Sequence, residues 1–193
     1  IEEANKIINS IRVCDPAVGS GHFLVSSLNE MIHLKSELGI LADKEGKLLK
    51  GYKISIENDE LIVSDKEFGI FKYNPLNYES QRVQETLFHE KQTIIENCLF
   101  GVDINPNSVK ICQLRLWIEL LKHTYYIQNT NQLETLPNID INIKCGNSLV
   151  NRFSLDENLR PVLQKLKIKI SDYREAVSKY RNAQNKQDKR DLE

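Results

Sequence analysis

Along the chain the spacing of hydrophobic residues changes several times, and each change marks an element. Ile1, Ala4, Ile7, Ile8 and Ile11 recur at helical spacing, after which residues 11–15 read as a short buried strand. A glycine-bearing turn follows at once. From Gly21 onward Phe23, Leu24, Leu28, Met31, Ile32 and Leu38 fall on one face of a predicted helix, with Gly39 as its stop signal. Between 40 and 78 the period shortens to two: Ile54 and Ile56, then Leu61 and Val63, alternate with polar neighbours around Asn58-Asp59, which predicts a β-hairpin. Residues 68–73 predict a third strand, ended by the Asn74-Pro75 turn. Val83, Leu87, Ile94 and Ile95 then predict an amphipathic helix.

A second buried strand is predicted over 98–103. Asn105 caps a long helix over about 107–126, and Pro106 suits its first turn, where a missing N–H costs nothing. A polar connector over 128–138 leads to residues 139–145, whose strict alternation predicts a strand with one buried face. Strands alternating with helices imply parallel βαβ units and an α/β sheet covered by helices, with ligands at the carboxyl ends of the strands. In the last forty residues Leu163, Leu166, Ile170, Tyr173, Val177 and Tyr180 step by three and four, as in a coiled-coil seam, and Asp172 with Glu175 forms a capping box. This is a C-terminal helical extension.

Composition narrows the class. With 193 residues, 40% of them hydrophobic, the chain suits one soluble domain or one domain plus a helical appendage, able to bury roughly 70% of its unfolded surface without staples. No apolar run approaches the ~20 residues of a membrane helix, and the polar start at Ile1-Glu2-Glu3 does not resemble a signal peptide, so a cytoplasmic location with no membrane partner is expected. The chain opens on Ile1 and stops inside a charged helical pattern, which leads us to expect an excised piece of a longer protein. With 26 basic and 27 acidic side chains, the net charge of −1 offers no global attraction for phosphate. The last helix is locally basic, read as a solvated face in preference to a nucleic-acid contact. Cys14, Cys98, Cys112 and Cys145 lie far apart and read as free, mostly buried thiols; with His22, His33, His89 and His123 lacking ligand spacing, no metal site is expected.

The chemistry concentrates in Asp15-Pro16-Ala17-Val18-Gly19-Ser20-Gly21-His22-Phe23-Leu24, set between a strand and a helix. Glycines at 19 and 21 let backbone approach a ligand where a Cβ would intrude. The string departs from the dinucleotide fingerprint, which needs a small residue where Leu24 stands. A plain tight turn accounts for two glycines but not for an acid directly ahead of Pro-Ala, and an acid at a strand's carboxyl end suggests a ligand with a positive group.

The whole string resembles motif I of the S-adenosylmethionine-dependent DNA adenine methyltransferases, whose pattern is D-P-A-x-G-S-G-x-F-L. Gly101-Val102-Asp103-Ile104-Asn105-Pro106 resembles motif II, and Cys145-Gly146-Asn147-Ser148-Leu149 resembles motif III. The stretch Leu114-Arg115-Leu116-Trp117-Ile118-Glu119-Leu120-Leu121 is similar to the large Type IIG restriction-modification methylases. The resemblance implies a Rossmann-like class I methyltransferase core over residues 1–153, with a hairpin-bearing insertion at about 40–96 and a helical connector over 154–193. It implies S-adenosylmethionine as cofactor: Asp15 facing the methionyl ammonium, with Ala17, Gly19 and Gly21 lining that moiety and Phe23 beside it. Asp103 would accept both ribose hydroxyls, Ile104 and Leu149 would cover the two faces of the adenine, and Asn147 would read its edge.

Each role has a plainer rival. Asp15 would serve as a helix cap, Asp103 as a solubilising strand end, Phe23 and Ile104 as core, and Arg115 as an ion-pair residue. Glu57 or Asp59 lies nearer the ~20-residue offset of dinucleotide ribose acids but falls in the hairpin. Methyl transfer to adenine N6 also needs an [N/D]-P-P-[Y/F] tetrad, which the chain lacks; Asn74-Pro75-Leu76-Asn77 is an incomplete likeness in the wrong order, so no catalytic residue is assigned. DNA would be contacted through parts of the parent outside this chain, and the oligomeric state is left open. Alternative readings are an RNA or protein-glutamine methyltransferase, a non-catalytic interaction scaffold and, last, a dinucleotide oxidoreductase.

Overall fold

A computed structural model describes residues 1–65, 69–127, 130–150, 169–181 and 183. In chain order its elements are α1 (Glu2–Ile8), β1 (Val13–Asp15), α2 (His22–Glu37), β2 (Lys53–Glu57), β3 (Glu60–Ser64), α3 (Tyr78–Asn97), β4 (Leu99–Asp103), α4 (Pro106–Leu121), β5 (Ile143–Cys145) and α5 (Ile170–Arg181). The strands β1, β4 and β5 form a parallel sheet in the order β1-β4-β5, and β2 pairs with β3 in a separate antiparallel hairpin. The fold is therefore mixed α/β, a three-stranded parallel sheet flanked by helices.

Register decides which side chains share a face. Asp15 stands opposite Gly101, Gly101 opposite Ile143, and Asp103 opposite Cys145. Laterally paired residues of parallel strands point the same way and alternate residues return to the same side, so Asp15 and Asp103 project from one face. That face also carries Leu99, Gly101 and Ile143, all buried, and α2 and α4 pack on the sheet while α3 packs on both helices. On the other face Cys14 and Lys144 are exposed and Phe100 and Val102 are half-buried, so among the described residues it is more open.

The core helices follow the apolar spacing closely. Leu24, Leu28, Met31 and Ile32 of α2 interlock with Val83, Leu87, Phe88, Ile94 and Ile95 of α3 and with Val109, Cys112, Leu116 and Leu120 of α4 in one cluster. Burying each large aliphatic side chain contributes about 1.5–3 kcal/mol. Phe23 and Leu38, expected on the same face of α2, are instead exposed, because the core stripe runs through 24, 28, 31 and 32 and leaves both ends of the face outside it. In α1 only Ile8 is buried, while Ile1, Ile7 and Ile11 are exposed. Asn105 caps α4 by accepting from the Asn107 N–H at 2.9 Å, with Pro106 in the first turn.

Several boundaries move for identifiable reasons. The strand expected over 139–145 shrinks to Ile143–Cys145, because buried Asn142 turns inward and donates to the carbonyls of Ile95, Glu96 and Leu99 at 2.8–3.0 Å. The helix expected to reach 126 ends at Leu121, and the chain beyond it brings Tyr125 edge-on to Phe88. The third strand is reduced to a single bridge between Ser64 and Ile70. α5 begins before Asp172, whose carboxylate accepts from the Lys169 N–H at 3.2 Å; Asp172 occupies the helix's first turn and is not its cap. Leu163 and Leu166 of the expected seam lie outside the described residues. Two of the four cysteines, Cys14 and Cys145, are exposed. No helix among the described residues is long and apolar enough to cross a membrane.

The α3–α4 contact is charged as well as apolar. Lys91 donates to Glu119 at 2.9 Å, and Lys122 lies 2.8 Å from the same carboxylate. His123 is buried beside them; desolvation, reinforced by the Lys91 charge, lowers its pKa from the ordinary 6.5 to about 3. Between those values only the unfolded chain binds the proton, so stability is complete above about pH 6.5 and falls as the pH drops. His89, lowered by burial, adds in the same direction, whereas Glu119 and Glu134, both held below their ordinary 4.5, contribute only at lower pH. Urea unfolding should therefore show stability falling between pH 6.5 and 4.5 by up to about 1.4 kcal/mol per unit for His123. His123→Gln should flatten most of that slope, and an unchanged slope would contradict the assignment.

Candidate functional site

The carboxyl ends of β1 and β4 meet the glycine-bearing loop that follows β1. Asp15 Oδ1 accepts from the Ala17 N–H at 3.0 Å, turning the chain out of the strand. Val18 then reaches across to β4, its N–H donating to the Val102 carbonyl at 2.9 Å, and Gly19 donates to Asp103 Oδ2 at 2.8 Å. The other oxygen of Asp103 takes the Asn105 N–H at 2.8 Å. Both acids thus belong to one cluster, and Asp103 ties the loop to the neighbouring strand, which a merely solubilising residue would not do. Asp15 does not cap α2. The cap position is Gly21, and α2 has no side-chain cap at all.

The two loop glycines act differently. Gly19 has φ +52°, and a Cβ there would meet only the Ala17 carbonyl oxygen at 3.9 Å, so its outer side is open and bordered by an acceptor. Gly21 has φ +80°, and its Cβ would lie 2.6 Å from Cys112 Sγ and 3.2 Å from Cys112 Cα. The close approach expected toward a ligand is, at Gly21, an approach between α2 and α4. Gly101 is a third such position, since its Cβ would sit 2.8 Å from Val18 Cγ2. The N–H groups of Ala17, Gly19 and Gly21 all donate within the protein, the last to the Val18 carbonyl at 2.8 Å. The acceptors left on this segment are the Ala17 carbonyl and the Asp15 carboxylate. Burial raises the Cys112 thiol pKa to about 11, with the charges of Asp15 and Asp103 adding to it.

The apolar candidates stand at the same end of the sheet and are open to solvent: Phe23 is 56%, Ile104 73% and Leu149 92% exposed. That exposure removes the plain core reading for Phe23 and Ile104. Asn147 is exposed too; its Oδ1 accepts from the Leu149 N–H at 3.0 Å. A separate cavity of about 320 Å³, lined by Arg82, His89 and Glu90 among others, lies between the 42–45 turn and α3 and includes none of these residues. Among the described residues no group of three or more His, Cys, Asp or Glu is arranged to hold a metal ion.

Two features had no signal in the sequence. Cys112 is one of several apolar residues in α4, and nothing in its spacing pairs it with Gly21. His22 faces Arg115 at 3.3 Å and also lies 3.1 Å from Asp59 on the hairpin. Asp59 thus touches α2 through side chains, whereas Asp103 is the acid on the loop backbone. Trp117 is half-buried, packs against the core and donates to the Pro137 carbonyl at 3.0 Å.

The acid-anchored glycine loop thus lies at the carboxyl ends of adjacent parallel strands, where ligands of open α/β sheets bind. Residues 1–167 match the family described as MmeI, DNA-methyltransferase domain, and the chain belongs to that family. It is also 33% identical, over 153 residues, to a protein of Methanocaldococcus jannaschii described as "Putative type II restriction enzyme and methyltransferase". That alignment covers 79% of this chain and 10% of the relative, so the chain spans about a tenth of that protein's length. No solved structure matches the chain.

Proposed function

We propose that this chain is the S-adenosylmethionine-binding part of a Type IIG-like restriction-modification methylase that methylates adenine at N6. The observation that carries the reading is the shared cluster of Asp15, Asp103 and the glycine loop. S-adenosylmethionine presents an α-ammonium and a ribose diol as donors and an adenine as a flat apolar face. The cluster has the complementary set. Beside Gly19 the Ala17 carbonyl and the Asp15 carboxylate stand ready to accept from the ammonium. Asp103 is held by two backbone N–H groups on different oxygens, which leaves a lone pair on each for the two ribose hydroxyls. Phe23, Ile104 and Leu149 supply exposed apolar surface for the ring. With its oxygen engaged by Leu149, Asn147 keeps its N–H₂ to donate to a ring nitrogen of the adenine.

Bound there, the cofactor supplies an electrophilic methyl on a sulfonium. The residues of this chain bind and orient it. The acceptors for the target amino group would come from an [N/D]-P-P-[Y/F] tetrad elsewhere in the parent, as would the DNA contacts. Among the described residues the second face of the sheet is the more open, which agrees with this, because parallel sheets are ordinarily covered on both faces. In this reading residues 1–153 are the core, 40–96 an insertion and 154–193 a connector.

The test uses the complete parent protein, DNA and isotopically labelled S-adenosylmethionine, with the modified nucleoside identified by mass spectrometry. Label should appear as N6-methyladenine, and this 193-residue chain alone should transfer none. Label on cytosine, on RNA or on protein, or transfer by this chain alone, would overturn the corresponding part of the proposal.

A further inference from the structure

The hairpin interrupts the chain between the glycine loop and β4, yet its tip returns to α2, the helix that follows the loop. Asn58 and Asp59 both have positive φ, 52° and 68°, the backbone required by a two-residue turn with the twist of a tight hairpin. The turn is laid against the beginning of α2. Asp59 Oδ1 accepts from Ser26 Oγ at 2.8 Å, Asp59 Oδ2 faces His22 Nε2 at 3.1 Å, and the Asp59 carbonyl accepts from Asn29 Nδ2 at 2.9 Å. Asn29 is only 1% exposed, so that last bond is shielded from water. Further along, His33 Nδ1 meets the Ile54 carbonyl at 2.8 Å, and Glu60 reaches Lys122 at 3.3 Å.

The start of α2 also rests on α4. Gly21 packs on Cys112, and Arg115 Nη1 donates to His22 Nδ1 at 3.3 Å. His22 thereby links an arginine of α4 to an aspartate of the hairpin. A first turn of helix without a side-chain cap has little of its own to keep it in place. Here the clamp is external.

We infer that Asp59 is a positioning residue for the cofactor site: from the hairpin tip it holds the first two turns of α2, and with them the glycine loop and Phe23, against α4. This rests on the cofactor reading for its effect on affinity, but not for its effect on the helix. The hairpin is then a strut that sets the loop's position. The exposed His22–Asp59 contact contributes little by itself, and the hold comes from the three Asp59 contacts acting together.

The test exploits the positive φ of Asp59. Asp59→Gly keeps the turn, because glycine adopts that backbone freely, and removes only the carboxylate. Asp59→Asn keeps an acceptor for Ser26 and tolerates the same φ. Lys53→Ala, at the far end of the hairpin, is the control. In the 193-residue chain, hydrogen exchange at Val25, whose N–H bonds the Gly21 carbonyl at 3.0 Å, and at its second-turn neighbours should quicken in Asp59→Gly, while α4 stays protected. Calorimetric affinity for S-adenosylhomocysteine should fall about tenfold, the loss of roughly one charged hydrogen bond, and recover to within about threefold in Asp59→Asn. A purely structural role would lower the melting temperature and leave both readouts unchanged at temperatures well below it. Unaltered exchange at Val25 in Asp59→Gly, or undiminished affinity, would overturn the inference. Absence of binding by the unmodified chain would overturn the cofactor reading instead, and the exchange result would still decide this one.

Discussion

Asp103→Ala should abolish measurable S-adenosylmethionine binding, lowering affinity by at least about a hundredfold while the chain remains folded. Two charge-assisted bonds to the ribose diol, each at about 1.5–3 kcal/mol, account for a loss of that order. The variant also releases the Gly19 and Asn105 N–H groups that the carboxylate holds, so the loop loses its tie to β4. Asp103→Asn separates the two effects. It keeps an oxygen for Gly19 but removes the charge, and its affinity should fall between those of wild type and alanine. Calorimetry on the three proteins, with circular dichroism to establish folding, checks the order. An alanine variant that binds like wild type would remove Asp103 from the site.

Gly21→Ala should be the most destabilising single methyl in the domain. Left-handed backbone costs a non-glycine residue about 1–2 kcal/mol, and overpacking adds about 1–3 kcal/mol. Here the added carbon would sit 2.6 Å from Cys112 Sγ, 3.1 Å from its Cβ and 3.2 Å from its Cα. Cys112→Ala in the same chain should recover only part of the loss, because the Cβ and backbone contacts remain and the positive φ is unchanged. Urea denaturation of the single and double variants measures this. Full recovery in the double variant would mean that the sulfur alone sets the spacing of α2 and α4.

Where local chemistry decided the conformation, the sequence was readable. Asn58-Asp59 marks the hairpin because few residues other than glycine accept two consecutive positive φ angles, and Asn105-Pro106 marks the start of α4 because one caps and the other needs no N–H. The strands ending at Asp15 and Asp103 were visible as short apolar runs that stop at an acid. Alternation misled at 139–145, since a hydrophobic pattern does not reveal that Asn142 will be drawn inward by three carbonyls. Nor does the spacing of charged residues reveal that Lys35 and Lys91 are fully buried, paired with Glu90 and Glu119 from neighbouring helices. The contacts of Asp59 with α2 span about thirty positions and leave no periodic trace. At the site, the order of motifs named the acids, but not that Asp103 would hold Gly19 or that Gly21 would face a cysteine.

The most direct measurement is a calorimetric titration of the 193-residue chain with S-adenosylhomocysteine, run in parallel with NADH. Saturable binding of one nucleoside per chain is expected, abolished by Asp103→Ala and weakened by Asp15→Ala, with no competing NADH isotherm. A folded sample that takes up no S-adenosylhomocysteine, or one whose affinity is indifferent to both acids, would contradict it.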